Sequence, residues 1–254
     1  MDDFNLVIGI HSIICALKNA DRKHDRLVTT EDSLSEIKKS VNLDGLSIEI
    51  EVCAPHKVQE VAKGYFRDLD LEYHRVPSGV FLITSELAMC DVTELYHMAK
   101  TEKQLKILCL DQITDVHNAA AILRTANFYG IDYVIVPDKR SFGLTPSFFR
   151  IASGAAEYTK LVGVNKLTKT ISKLKDLGVE CLALSEHAKG KLTEDILSSE
   201  TSLCLVLGRE DVGISNAVLR LIDNHISLES SGDIKSLNVS IAAAITMEKC
   251  FSKK

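Results

Sequence analysis

Residues 105–137 read "LKILCLDQITDVHNAAAILRTANFYGIDYVIVP", and the fold turns on how this stretch is read. "LKILCLD" is an almost unbroken apolar run without alternation, which predicts a strand covered on both faces. A polar loop follows, then "NAAAILRTANFYG", with Asn118 suited to cap a helix and Gly130 suited to end it. "DYVIVP" is a second apolar strand. Strand, helix and strand in this order predict a parallel pair, because parallel neighbours need a crossover of about a dozen residues or more.

The same rhythm runs to the end of the chain. "TPSFFRIASGAAE" predicts a helix entered through Pro146, and "YTKLVGV" a strand. "KLTKTISKLKDLG" places Leu167, Ile171 and Leu174 along one side of an amphipathic helix. "VECLALS" and "SLCLVLG" predict strands, "GISNAVLRLID" a short helix, "HISLES" a short strand and "NVSIAAAITMEKC" the last helix. The class is therefore α/β, a parallel sheet with helices on both faces. Ligands of such sheets bind beyond the carboxyl ends of the strands, where every distinctive loop here falls.

Upstream, "NLVIGIHSIICALKNA" predicts a strand and a helix, "DRLVTT" a strand and "EDSLSEIKKS" a helix. "LSIEIEVCA" alternates as a strand does, and "HKVQEVAKGYFR" puts Val58, Val61, Ala62 and Tyr65 on one helical face. Pro77, Ser78 and Gly79 punctuate before "VFLITSEL", after which the strand pattern fades. These features predict a small α/β domain over 1–80, a linker over 81–104 and a second domain over 105–254.

A chain of 254 residues, 46% hydrophobic, can bury sizeable cores without metals or disulfides. No window is long enough to span a bilayer, and "MDDFNLVIGI" lacks a basic segment before its apolar run, so a cytoplasmic protein is expected. The seven cysteines are odd in number and lack metal-ligand spacing; they predict reduced, mostly buried thiols and no structural zinc. The net charge of −5 argues mildly against nucleic acid. Locally the balance reverses, since Lys139, Arg140, Arg150, Lys160, Lys166, Lys169, Lys173 and Lys175 face only Asp138 and Glu157 within 138–175. Such a face steers anions.

Three loops carry polar equipment. In "DQITDVHNAAAILRTA", 111–126, Asp115, His117 and Asn118 crowd the turn into the helix. Arg124 interrupts small and apolar residues that look like a buried face, where an unpaired guanidinium is costly and an anionic partner is expected. In "LVLGREDVGIS", 205–215, Gly208 and Gly213 bracket a tight turn that offers Glu210 as an acceptor. No GxGxxG is present, so the dinucleotide fingerprint is absent. In "SLNVSIAAAI", 236–245, Ser236, Asn238 and Ser240 precede an alanine-rich helix, as caps or as parts of a site. These residues lead to a polar ligand site and stop short of naming its ligand.

Together the three loops resemble the signature motifs of the SpoU-type RNA ribose 2′-O-methyltransferases, which have the knotted SPOUT fold. The family's "D-x-x-x-D-P-x-N-x-G-A-x-x-R-T-A" is matched at Asp115, Asn118, Arg124 and Thr125, with Val116 in place of proline and Ala120 in place of glycine. Its "L-G-x-E-x-x-G" is matched at Leu207, Gly208, Glu210 and Gly213, and "S-L-N-V-S-x-A" is complete over 236–242. "RIASGAAEY" is similar to another helix of the family, and Ala244 replaces a frequent glycine. Residues 1–80 resemble the L30e-like substrate-recruiting domain of the bacterial 23S rRNA guanosine 2′-O-methyltransferases.

The resemblance implies a deep trefoil knot at the C-terminal end and S-adenosylmethionine held at Leu207, Gly208, Ile226, Leu228, Ser236 and Leu237. It implies catalytic roles for Arg124, Asn118, Glu210, Ser236 and Asn238, no metal, and a homodimer whose sites are completed across the interface. A guanidinium is a very poor base, so Arg124 is expected at the target phosphate, easing a developing 2′-oxyanion. Asn118 and Glu210 are expected to fix that arginine and its loop, and Asn238 with Ser236 to orient the ribose. A guanosine of 23S rRNA is the expected substrate, with tRNA as the alternative. A resistance methyltransferase of the nosiheptide type and a non-catalytic RNA-binding or assembly protein are more remote; the intact Arg124, Glu210 and Asn238 speak against the latter.

Overall fold

A computed structural model describes residues 4–190, 192, 201–234 and 236–252. The elements begin with β1 (Phe4–Ile8), α1 (Ile10–Lys18), β2 (His24–Thr29), α2 (Glu31–Lys38), β3 (Glu49–Val52), α3 (Pro55–Asp68) and β4 (Val80–Ser85). Next come α4 (Val92–Thr101), β5 (Lys106–Asp111), α5 (Val116–Phe128), β6 (Tyr133–Pro137) and α6 (Pro146–Ala152). They continue with β7 (Lys160–Val164), α7 (Leu167–Asp176), β8 (Glu180–Leu184) and β9 (Leu203–Gly208). α8 (Asn216–Leu219), β10 (Asn224–Ile226) and α9 (Val239–Phe251) complete the set. Among the described residues no helix is long and apolar enough to cross a membrane.

The chain divides into two compact units, 1–88 with 144–158, and 89–143 with 159–254. The first is built on a mixed sheet of order β1-β4-β2-β3. β4 runs antiparallel to both of its neighbours, and β3 lies parallel to β2. Leu6, Ile8, Val28, Phe81 and Ile83 pack there against Val58, Ala62 and Phe66 of α3. Residues 81–104 are therefore not a linker. β4 occupies the middle of this sheet, and α4 folds in the second unit with Asp91 as its cap and Leu95 and Ala99 buried. The charged ends of α4 hid those two positions from the sequence pattern.

Segment 144–158, which lies in sequence between two strands of the other sheet, also belongs to the first unit. Phe148 and Phe149 of α6 are buried there, and the Ser12 hydroxyl donates to the Phe149 carbonyl at 2.6 Å. The expected helix over 145–157 stops at Ala152, because Ser153 and Gly154 turn left-handed at φ 52° and 88°. One 3₁₀ turn follows and delivers Glu157, whose carboxylate takes Arg22 Nη2 at 2.7 Å and Nε at 3.1 Å. These two side chains are only 2% and 1% exposed. Asn19 donates to Glu157 at 2.8 Å, and Arg22 also donates to Asn5 Oδ1 at 2.9 Å. A charge pair so far from water persists only when its remaining hydrogen bonds are met, as they are here.

The second unit carries the parallel sheet, order β10-β8-β9-β5-β6-β7, with every neighbouring pair parallel. All of β9 and nearly all of β5 are buried, as unbroken apolar runs in a doubly covered sheet should be. α5 closes in a Schellman turn: the Ile131 N–H donates to Ala126 O at 2.9 Å and that of Gly130 to Asn127 O at 3.1 Å. Gly130 has φ +66°, a conformation that costs an L side chain about 1–2 kcal/mol. α5 packs against α9, and the buried alanines Ala119, Ala120 and Ala243 allow that approach. The expected strand "HISLES" shrinks to Asn224–Ile226, paired with β8 at the edge of the sheet and bridged at Ile226 to Gly190.

Candidate active site

β5 and β9 are neighbours, and their last residues, Asp111 and Gly208, stand opposite each other in register. The loops that follow thus leave the sheet side by side at its carboxyl edge. In the first, Asp115 is the N-cap of α5, its carboxylate accepting the Asn118 N–H at 2.7 Å. Asn118 is therefore not the cap that its position suggested. The carboxylate three residues earlier takes that work and leaves the Asn118 side chain free. Val116, where the SpoU pattern has proline, is the first residue of the helix, a position that proline also suits.

The second loop folds back tightly. Arg209 N–H donates to Gly213 O at 3.1 Å and Gly213 N–H to Arg209 O at 2.8 Å. A Cβ on Gly208 would overlap the Gly213 and Ile214 backbone, so only glycine fits there. In the third loop Asn238 caps α9, its Oδ1 accepting from the Ser240 N–H at 3.0 Å and the Ser240 hydroxyl at 2.6 Å.

The three loops then meet. Asn238 Nδ2 donates to Asn118 Oδ1 and to Glu210 Oε2, each at 3.0 Å, and Asn118 Nδ2 donates to the same Oε2 at 3.3 Å. Asn238 thus caps α9 and joins the cluster at once. The cluster is open to solvent and carries one negative charge. The adjacent Arg209 does not neutralise that charge, because it is paired with Asp211 and holds the Asp211 carboxyl below the usual carboxylate range.

Arg124 lies elsewhere. It is exposed on α5, not part of a buried face, and none of the described residues gives it a hydrogen bond or an ion pair. At roughly 100° and 1.5 Å per residue, six residues turn it about 120° away from Asn118 and carry it about 9 Å further along the helix. Asn118 and Glu210 hold each other and Asn238; they do not hold the Arg124 of their own chain. The buried face of α5 is made instead by Ala119, Ala120, Ile122, Leu123 and Ala126.

The other expected ligand positions lie in the loops or at strand ends. Leu207 and Ile226 are buried at the ends of β9 and β10, Leu228 is half-buried, and Ser236 and Leu237 are exposed ahead of α9. Among the described residues, no group of three or more His, Cys, Asp or Glu side chains is placed to hold a metal ion. Sequence reasoning assigned no role to Asp111, the first aspartate of the 111–126 motif, which is buried where β5 ends and whose carboxylate accepts the Ser215 N–H at 2.7 Å. A carboxylate closing an otherwise apolar strand was the available signal.

A parallel sheet whose carboxyl-end loops converge on one polar cluster defines an α/β enzyme with its site at that edge. The chain belongs to the SpoU rRNA methylase family, whose model matches residues 106–248. It is 33% identical over 198 residues to a TrmH-family tRNA/rRNA methyltransferase homologue of Staphylococcus aureus (strain COL), covering 78% of each chain. It is 29% identical over 253 residues to the 23S rRNA (guanosine-2′-O-)-methyltransferase RlmB of Pseudomonas putida, covering 97% of this chain and 96% of that one. Its fold matches the SpoU methyltransferase AviRb of Streptomyces viridochromogenes, solved in complex with AdoMet. The TM-score is 0.75 at 18% identity, over 98% of this chain and 90% of that one.

Proposed function

We propose that this protein transfers a methyl group from S-adenosylmethionine to the ribose 2′-hydroxyl of a guanosine in 23S rRNA, in the cytoplasm. The carrying observation is the joining of Asn118, Glu210 and Asn238, one from each of three separated motifs, at the carboxyl edge of the parallel sheet. The near full-length similarity to RlmB favours 23S rRNA over tRNA, the second reading.

The residues present fit the cofactor. Leu228 and Leu237 keep apolar surface partly uncovered for an adenine, and Gly208 lets the 209–213 turn fold back tightly at the end of β9. Leu207, Gly208, Ile226, Leu228, Ser236 and Leu237 would hold it, in a C-terminal segment that forms the family's trefoil knot. When bound, it supplies a methyl group already activated by a sulfonium, so no metal is required. Asn238 and Ser236 orient the ribose. Glu210 Oε2 is taken by two amides, which leaves Oε1 as an acceptor at the site.

The site is completed by a second copy. Among the described residues, the Glu210 carboxylate has no ion pair, its neighbour Arg209 being taken by Asp211, and Arg124 has no anion, the two lying on different faces. A two-fold pairing brings the one toward the other and places Arg124 at the target phosphate, where it eases the developing 2′-oxyanion. The surface for it is apolar: on the packed helices α5 and α9, Phe128 is 82% exposed and Ile241 52%, and Ile245 is also uncovered. The first unit is the L30e-like part that recruits the RNA.

Mapping 2′-O-methylation across total RNA with and without the gene tests the substrate. One guanosine of 23S rRNA should lose its methyl group; a loss confined to tRNA would install the second reading. Light scattering at micromolar concentration should give twice the 28.0 kDa chain mass, and a monomer would remove the shared site.

A further inference from the structure

We infer that Asp111 is a positioning residue of the methyl-transfer site, fastening the base of the loop whose tip carries Glu210. The inference rests on the assignment of that loop to methyl transfer. Asp111 is 4% exposed and ends β5 directly opposite Gly208, where the loop begins. Its Oδ2 accepts the Ser215 N–H at 2.7 Å, where the loop ends. Ser215 is the N-cap residue of α8, and no side chain of its own caps that helix. The Ser215 N–H is part-buried and its acceptor is buried, so leaving either without the other is costly and the loop closes on this carboxylate. The 208–215 loop is then held at both ends from one strand–helix unit, by Asp111 at the base and by Asn118 at the tip. Asp111 is too deeply placed to meet a ribose, so it acts through the loop and not on the reacting atoms.

Three variants test this in the full-length protein, with two readouts: single-turnover methyl transfer, and hydrogen exchange of the peptide spanning 208–215. Asp111→Ala should speed exchange in that peptide and slow transfer roughly tenfold or more. Asp111→Asn keeps an acceptor oxygen, so it should recover most of both losses and keep the wild-type pH profile of turnover. An Asp111→Asn enzyme as impaired as the alanine variant, or one whose pH profile has lost a limb, would make the carboxylate a chemical participant and overturn the inference. Ser215→Pro removes the donor at a position whose φ of −59° suits proline, and it serves if the alanine variant does not fold. It should reproduce the alanine losses, and wild-type turnover by Ser215→Pro would equally overturn the tether. Exchange needs no substrate. A wild-type protein that fails to methylate RNA while the exchange results hold would therefore count against the proposed function and leave the tether standing.

Discussion

Asn238 spends one side chain on two structures, its oxygen capping α9 and its amide binding Asn118 and Glu210. Capping a helix and joining the cluster are compatible in this one residue, because an Asn side chain carries a separate acceptor and donor. The choice of residues was legible at this scale and their partners were not. Asn118 looked like a cap because Asp115, three positions earlier, competes for the same role, and sequence spacing does not rank the two. Arg124 looked buried because it stands among small residues, and an alanine-rich helix gives little contrast between its faces. As an exposed residue that forms no cluster with the described residues, Arg124 invites a decisive substitution. Arg124→Ala should leave cofactor affinity intact and slow single-turnover transfer by about a hundredfold or more, the usual scale for a lost charged donor at a transition state. Arg124→Lys should recover little, since an ammonium lacks the rigid fork. Near-normal transfer by the alanine variant would leave Arg124 an ordinary surface residue, whose loss costs roughly 0.5 kcal/mol or less.

Strands and helices were largely legible where the apolar period was unbroken, as in β5, β9 and α7. The pattern failed where an element buries few apolar residues between charged ones. α4 is one case, and its Glu94 accepts from Lys160 Nζ at 2.7 Å and from the Tyr133 hydroxyl at 3.1 Å. Lys160 first, then the Cys90 thiol and Tyr133, bring the Glu94 carboxyl from 4.5 down to about 2. Its folded value is depressed, so the stabilisation is full above about 4.5 and fades as pH falls toward 2. The side chain is half-exposed, and the effect is correspondingly small. Melting temperature followed from pH 5 to 2 should fall less steeply for Glu94→Gln than for wild type; parallel curves would show that the pairing does not stabilise the fold. The basic stretch 138–175 also divides by element. Lys160 is paired with Glu94 and Lys175 with Asp223, whereas Lys139 and Arg140 follow β6 and Lys166 follows β7, exposed at the carboxyl edge. Changing both Lys139 and Arg140 to Ala should weaken binding to a large-subunit rRNA fragment and flatten its salt dependence by nearly two contacts. An unchanged slope would move RNA binding off that edge.

For the whole molecule, two α/β units were legible from the rhythm of the chain, but not the return of 144–158 to the first unit. That return rests on Arg22 and Glu157, which lie 135 positions apart and leave no local pattern. Glu157→Ala strands a buried guanidinium and should cost about 3 kcal/mol in urea unfolding, far more than a surface change. A loss below about 1 kcal/mol would mean that the apolar contacts of α6 hold the segment without the pair. The same packing argues against testing RNA recruitment by deletion, since removing 1–88 would uncover Phe148 and Phe149. The central claim concerns where the methyl group goes, and one measurement addresses it directly. The full-length protein is incubated with methyl-labelled S-adenosylmethionine and unmodified 23S rRNA, and the RNA is digested to nucleosides for mass spectrometry. The account predicts label in 2′-O-methylguanosine alone. Label on a base, or none in 23S rRNA while tRNA treated in parallel is methylated, would contradict it.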